Sequence, residues 1–341
     1  MPRYIVETSL IVSIGVFALF QSASGDIASS AATFGIFLSG GLRLTAALLP
    51  LQSAILSIRQ AIPAANRAFA LLKSLEVGSD FSQCKQELSP KIDSVSICLR
   101  NVTFSYQGSK EPVLNDVSIK IPAGSQAAFI GSSGAGKSTL ADLIMGLLHP
   151  SEGTVLLGEM QAADLIRLQP GVIGYVPQKP GMVSGTIAQN IALGINPHEI
   201  DSVLLDRAIS LANLDSLISS LPSGVETDLG KRKDEFSGGQ LQRIGLARSL
   251  YSQPKLLVMD EATSALDAES ENEINKALDA MRGKVTVVLI AHRLNTVQRC
   301  DSVFLIEKGR VSASGTFPEL LRQNKKVQNL ARLMAIDQAE S

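Results

Sequence analysis

The sequence predicts a chain in two parts, about two transmembrane helices followed by an α/β domain built on a parallel sheet. Three observations carry this. The run from Thr8 to Gly25, TSLIVSIGVFALFQSASG, holds 18 residues without a charge. A second apolar run, from Ile27 to Ile58, is interrupted only by Arg43. Further on, the apolar segment SQAAFIG runs straight into a glycine loop and then a helical pattern, GSSGAGKSTLADLIMGLL.

About 20 apolar residues span a bilayer core, so the first run is long enough to cross. The second would measure roughly 48 Å if helical throughout, at the α-helical rise per residue. It would project beyond the lipid, and Pro50 is placed to kink it. The intervening QSASGDIASS carries Asp26 and no basic residue, whereas Arg3, Arg59, Arg67 and Lys73 lie on the other side. The positive-inside rule then puts both chain ends in the cytoplasm. A signal peptide is disfavoured because Glu7 sits where the run begins and a second apolar segment follows. At helical spacing Arg43 shares a face with Ser39, Gly40 and Ala47. Such a small-residue stripe suits close helix packing, or a polar path on which Arg43 meets an anionic group.

Residues 74–95 are polar and rich in Ser, with Gly and Pro, and read as a linker. The expected organisation is a partial transmembrane domain over 1–73, this linker, an α/β domain over 96–325 and a C-terminal tail over 326–341. Composition excludes other classes. The net charge is −1 with scattered basic residues, so no nucleic-acid surface is indicated. Cys84, Cys98 and Cys300 form no disulfide framework and no zinc-ligand spacing.

In the second part ICLRNVTFSY and SIKIPAG read as strands, and SQAAFIG as a buried one. A glycine loop between strand and helix, ending in Gly-Lys-Ser, is a phosphate cradle. Gly131, Gly134 and Gly136 let the backbone N–H groups wrap phosphate, Lys137 reaches the β/γ-phosphates, Ser138 holds Mg²⁺, and Thr139 extends the helix-start cradle. A second metal anchor is needed. The apolar run in PKLLVMDE supplies a strand ending on Asp260, suited to the metal, and Glu261, suited to activate water as general base. Gln178 ends VIGYVPQ and His292 ends KVTVVLIAH; polar residues at the C-terminal edge of a parallel sheet meet the ligand. Tyr106 offers an aromatic face for adenine. A second glycine-flanked helix start, EFSGGQLQRIGLARSL, presents another anion site, with Leu241, Ile244, Leu246 and Leu250 as the apolar positions of an amphipathic helix.

With these residues in order, the chain resembles an ABC transporter half-molecule of the exporter type. Tyr106 resembles the adenine-stacking aromatic. GSSGAGKS, with Gly131, Ser132, Ser133, Gly134, Ala135, Gly136, Lys137 and Ser138, resembles the Walker A loop. Gln178 resembles the Q-loop glutamine and metal contact, and FSGGQ, with Ser237, Gly238, Gly239 and Gln240, the family signature. LLVMDE resembles Walker B with its catalytic glutamate, SALD a D-loop, and His292 the switch histidine. The resemblance implies a P-loop NTPase fold: a RecA-like α/β core, an antiparallel β-subdomain and a helical subdomain inserted at roughly residues 180–252. It also implies an ATP hydrolase that uses ATP and Mg²⁺. Two copies would pair head to tail, so that Ser237, Gly238 and Gly239 of one close over the phosphate held by Lys137 of the other, which gives each chain a reason for two anion sites. A homodimer in a cell membrane follows, with the nucleotide-binding domain in the cytoplasm.

FLSGGLRLTAALLPLQSAIL is similar to the subgroup that flips lipid-linked oligosaccharides, with peptide and drug export as alternatives. The family's usual six membrane helices against about two here imply a truncated product, a non-transporting remnant or a second polypeptide. A soluble ABC ATPase of repair or translation is the reading from another class, and the apolar N-terminal runs oppose it. In TDLGKRKDEFSGGQ, Lys231 stands where exporters usually carry an acidic residue, which reverses the charge there; ATP binding is expected to be intact, and coupling is left open.

Overall fold

The computed structural model describes residues 8–9, 11–16, 19–20, 27–76, 94–109, 111–232, 235–260, 268–291 and 293–339. The chain divides into two compact units, Met1–Gln83 and Cys84–Ser341.

In the first unit, helix α1 (Ile27–Glu76) runs for 50 residues with Pro50 and Pro63 inside it. At the helical rise this is about 75 Å, more than a bilayer core. Among the described residues, the stretch Leu38–Leu72 is the one helix long and apolar enough to cross a membrane. Residues 11–16 and 19–20 are also helical. The helix continues through Pro50, and the hydroxyl of Ser53 donates to the Pro50 carbonyl at 2.8 Å, taking up an acceptor near the proline. Ile36, Leu42, Leu44, Leu56 and Phe69 are exposed along α1. Arg43 and Ala47 are exposed too, and the Ser39 hydroxyl turns back onto the Ile36 carbonyl.

The second unit holds two sheets. The first is antiparallel, with order β2-β1-β4-β5 from β1 (Ile97–Phe104), β2 (Leu114–Ile121), β4 (Glu152–Leu157) and β5 (Met160–Gln161). Alternating burial along β2 marks a sheet with one face in the core. The second sheet has order β10-β9-β3-β8-β7-β6. It comprises β3 (Gln126–Ile130), β6 (Ile173–Val176), β7 (Leu256–Asp260), β8 (Thr286–Ile290), β9 (Ser302–Glu307) and β10 (Arg310–Gly315). All its pairings are parallel except β9 with the edge strand β10. Every residue of β3 and β8 is buried, as a parallel sheet covered on both faces requires.

Strand alternation splits the core in two. Ala128 and Ile130 of β3 face one cluster, which includes Ile244, Leu246, Met259 and Leu289. Ala127 and Phe129 face the other, with Leu99, Val117, Leu140 and Ile290. Helix α2 (Lys137–Ile144) follows β3, and α3 (Ala162–Leu168) lies between β5 and β6. Between β6 and β7 the described chain is helical: α4 (Ile187–Ile191), α5 (Ser202–Leu211), α6 (Asp215–Ser220), α7 (Leu229–Arg232) and α8 (Gly238–Tyr251). This is the inserted helical subdomain that the sequence led one to expect. Helix α9 (Ala268–Met281) precedes β8 and α10 (Leu294–Gln298) follows it, while α11 (Phe317–Gln323) and α12 (Lys325–Ala339) close the chain.

Helix α8 departs from the one-sided amphipathic pattern. Gly239, Gln242, Gly245 and Ser249 are buried along with Ile244, Leu246 and Leu250, while Leu241 is only half-buried. Small and amide-bearing residues are buried because the helix is enclosed on more than one face. Gly245 is forced by contact, since a Cβ there would lie 2.5 Å from the Pro180 ring.

Candidate nucleotide-binding site

The parallel strands β3, β8, β7 and β6 end along one edge of the sheet, and the glycine loop, Asp260 and Gln178 lie along it. Register fixes the line: Phe129 pairs with Ile290, Ile290 with Asp260, and Met259 with Val176. The loop 131–136 leaves β3, Asp260 is the last residue of β7, and Gln178 lies two residues past β6. β3 and β7 are separated by β8, which puts them two strand spacings apart, about 10 Å.

The glycine loop is shaped by close backbone approach. Gly136 has φ +102 and caps α2 with no side-chain hydrogen bond; a Cβ there would meet Leu114 Cδ2 at 2.8 Å. Gly131 leaves no room either, because its Cβ would sit on the Ile306 carbonyl at 2.1 Å. The loop is pinned from outside by the Gly309 N–H, which donates to the Ala135 carbonyl at 3.1 Å. The first N–H groups of a helix lack intrahelical partners, so an uncapped start of this shape is an anion cradle. Lys137 is buried, 6% exposed, and its Nζ donates to the carbonyls of Gly131 at 2.8 Å and Ser132 at 3.0 Å. The ammonium is thereby held within the loop it serves. Ser132, Ser133, Gly134 and Ser138 are exposed, while Ala135 and Thr139 are buried.

Tyr106 is half-exposed beside this helix. Its ring stands edge-on to Phe104 at 4.9 Å, and its hydroxyl lies 3.2 Å from the Thr139 hydroxyl, one donating to the other. Asp260 is half-buried and Gln178 exposed. Burial pushes the Tyr175 phenol above its ordinary range, and the charges of Asp260 and Asp142 push it further. Asp142 itself is raised by burial. Tyr175 feels both carboxylates, and neither it nor Asp142 carries a motif that would have marked it.

At α8, Ser237 caps the helix. Its hydroxyl accepts from the Gln240 N–H at 3.2 Å, and the Gln240 side chain accepts from the Ser237 N–H at 2.9 Å. Ser237 and Gly238 are exposed, Gly239 is buried and Gln240 half-buried. The same helix grips the loop after Gln178. Gln242 Nε2 donates to the Pro177 carbonyl at 3.1 Å, and Arg248 donates to the carbonyls of Gly181 and Asn190 at 2.8 and 2.7 Å. The fully buried Asn190 amide bonds Val183 on both its N–H and C=O. Sequence reasoning missed Gln242, Arg248 and Asn190, whose partners lie far along the chain. Glu261, His292 and the SALD segment fall outside the described residues, and so do the side-chain surroundings of Lys231.

A glycine loop feeding a helix from the C-terminal edge of a parallel sheet, opposite a strand-end aspartate, defines the P-loop NTPase class. Residues 114–264 match the ABC transporter family. The chain is 34% identical over 331 residues to an ATP-dependent lipid A-core flippase of Albidiferax ferrireducens, covering 96% of this chain and 56% of that protein. It is 38% identical over 328 residues to ABC multidrug transporter mdr2 of Aspergillus fumigatus, covering 92% of this chain and 40% of that one. Among solved structures it is similar to a bacterial Atm1-family ABC exporter with ATP bound, at TM-score 0.69 and 27% identity over 98% of this chain and 58% of the other. The second unit of the chain thus carries an ABC transporter domain over residues 114–264. The chain spans about half the length of the relatives it matches.

Proposed function

We propose that the chain is the ATP-binding and ATP-hydrolysing subunit of a membrane exporter or flippase. The observation that carries the reading is the joint presence of the uncapped glycine loop around Lys137 and the serine-capped helix at Ser237. Flippase and multidrug-transporter relatives that align along nearly the whole chain support it. The 1–73, 74–95, 96–325 and 326–341 divisions are taken as membrane part, linker, nucleotide-binding domain and tail. The long apolar α1, with its exposed leucines, supports a place in the bilayer, and the domain after it would face the cytoplasm.

In this reading Tyr106 lies against adenine. The backbone from Gly131 to Gly136 and the side chains of Lys137 and Thr139 hold the phosphates. Ser138, Asp260 and Gln178 offer hydroxyl, carboxylate and amide oxygens, a hard-donor set that fits Mg²⁺, which would neutralise developing charge on the phosphates. Glu261 takes the proton of the attacking water, and His292 steadies the terminal phosphate. The loop's backbone N–H groups and Lys137 favour charge that grows on the phosphate oxygens. Ser237, Gly238, Gly239 and Gln240 of a second copy close the site, making a two-fold interface.

The test is the Glu261→Gln chain with saturating Mg-ATP in detergent. Dimers by light scattering are expected, and they should revert to monomers when nucleotide is removed. A strictly monomeric protein under those conditions overturns the shared site.

A further inference from the structure

On the side of the sheet far from Asp260, where β7 and β8 begin, lies a cavity of about 110 Å³. From Asp260 it is roughly 15 Å back along β7. One wall is α5 of the helical insert, with Arg207 and Leu211, and another is the end of α9, with Met281. The end of α8, at Leu250, and the residues just before β7 and β8, at Lys255 and Lys284, complete it.

The chemistry of the lining is one-sided. Leu250 and Met281 are buried and Leu211 half-buried, which gives an apolar floor. Arg207, Lys255 and Lys284 are cationic, and no acidic side chain is among the lining residues. The acid nearest in sequence on the α9 wall, Asp279, is engaged by Arg282 and Arg299. Lys255 and Lys284 follow the ends of α8 and α9, where cations suit the free carbonyls. Arg207 has no such reason, because it lies inside α5, yet it completes the cationic rim.

We propose that this cavity binds a small amphiphilic anion, an acidic head carried on a compact apolar body. The head meets Arg207, Lys255 and Lys284, where charge-assisted hydrogen bonds are the strong ones. The body fills the space over Leu211, Leu250 and Met281, whose contact with water it replaces. A bound molecule touches the helical insert on one side and the sheet's own helix on the other, so occupancy ties the two together.

The test is ¹⁹F line broadening of 4-(trifluoromethyl)benzoate on the full chain in detergent. Saturating ADP keeps the probe off Lys137, and the neutral amide of the same acid serves as the comparison ligand. The expected result is binding with Kd on the order of 1 mM for so small a probe. The amide, and the Lys255→Ser/Lys284→Ser chain, should bind at least about tenfold more weakly, with ADP affinity unchanged. If that variant loses ADP affinity, Arg207→Gln, a change at an exposed helix position, decides through its own drop in benzoate binding. The proposal is overturned by equal binding of acid and amide, by variants that bind like the parent, or by no broadening up to about 10 mM.

Discussion

The two glycine-flanked helix starts, at α2 and α8, look alike in the sequence and are built differently. Helix α2 begins after Gly136 in a left-handed conformation, with no side-chain cap from that residue. Helix α8 begins after Ser237 in an extended conformation, with Ser237 and Gln240 each satisfying the other's backbone N–H. The first lacks a side-chain cap and holds its lysine inside the loop. The second has already used the N–H of Ser237 and of Gln240 on itself, leaving the exposed Gly238 with open space around it. In the proposed function the first start is a full cradle and the second a half-site for a phosphate held by another copy.

The most severe way to break this contrast is to keep both starts and remove the expected chemistry. Glu261→Gln should retain ATP binding and lower turnover by about 10²–10⁴-fold, measured as phosphate release. Lys137→Ala comes next. It should weaken nucleotide binding itself by about ten- to a hundredfold in a fluorescent-ATP titration, the scale of a charged hydrogen bond. Ser237→Ala should leave the affinity of the isolated chain unchanged, which separates cradle from half-site. Smaller effects appear in stability. Gly136→Ala should cost about 1–2 kcal/mol for the left-handed backbone, plus contact with Leu114, in urea denaturation. Ser237→Ala should cost about 1 kcal/mol, the loss of one cap.

The effect that is smallest at neutral pH tests the side of the sheet on which α8 packs. Cys300 lies in that core, where burial, then the charge of Asp301, pushes its thiol up to about 12 from an ordinary 9.0. The folded chain holds this proton more tightly than the unfolded one, so the contribution is complete below pH 9 and lost as pH rises towards about 12. Cys300→Ala should flatten that alkaline decline in unfolding midpoints measured across the range.

What was legible in the sequence was whatever is local. The phosphate loop, the strand ending on Asp260 and the serine cap of α8 each depend on residues within one turn or one strand. The RecA-like core, the antiparallel sheet and the helical insert were implied by the family resemblance, and the structure has all three. What lay hidden was long-range. Gln242 finds Pro177 across 65 positions and Arg248 finds Asn190 across 58, and neither distance leaves a period in the sequence. The enclosure of α8 was missed for a related reason: Gly245 and Ser249 look like a polar face until Pro180 and the core surround them. Tyr175 comes under the charges of Asp260 and Asp142 only once the sheet is assembled.

The fastening of residues 177–183 to α8 has a mechanical meaning. A turn held by one end would flex and dissipate a push, but this one is stitched at Pro177, Gly181 and Val183, directly or through Asn190, to a single rod. Pressure on that turn is handed to the rod, and Ser237, at the rod's tip, must shift with it.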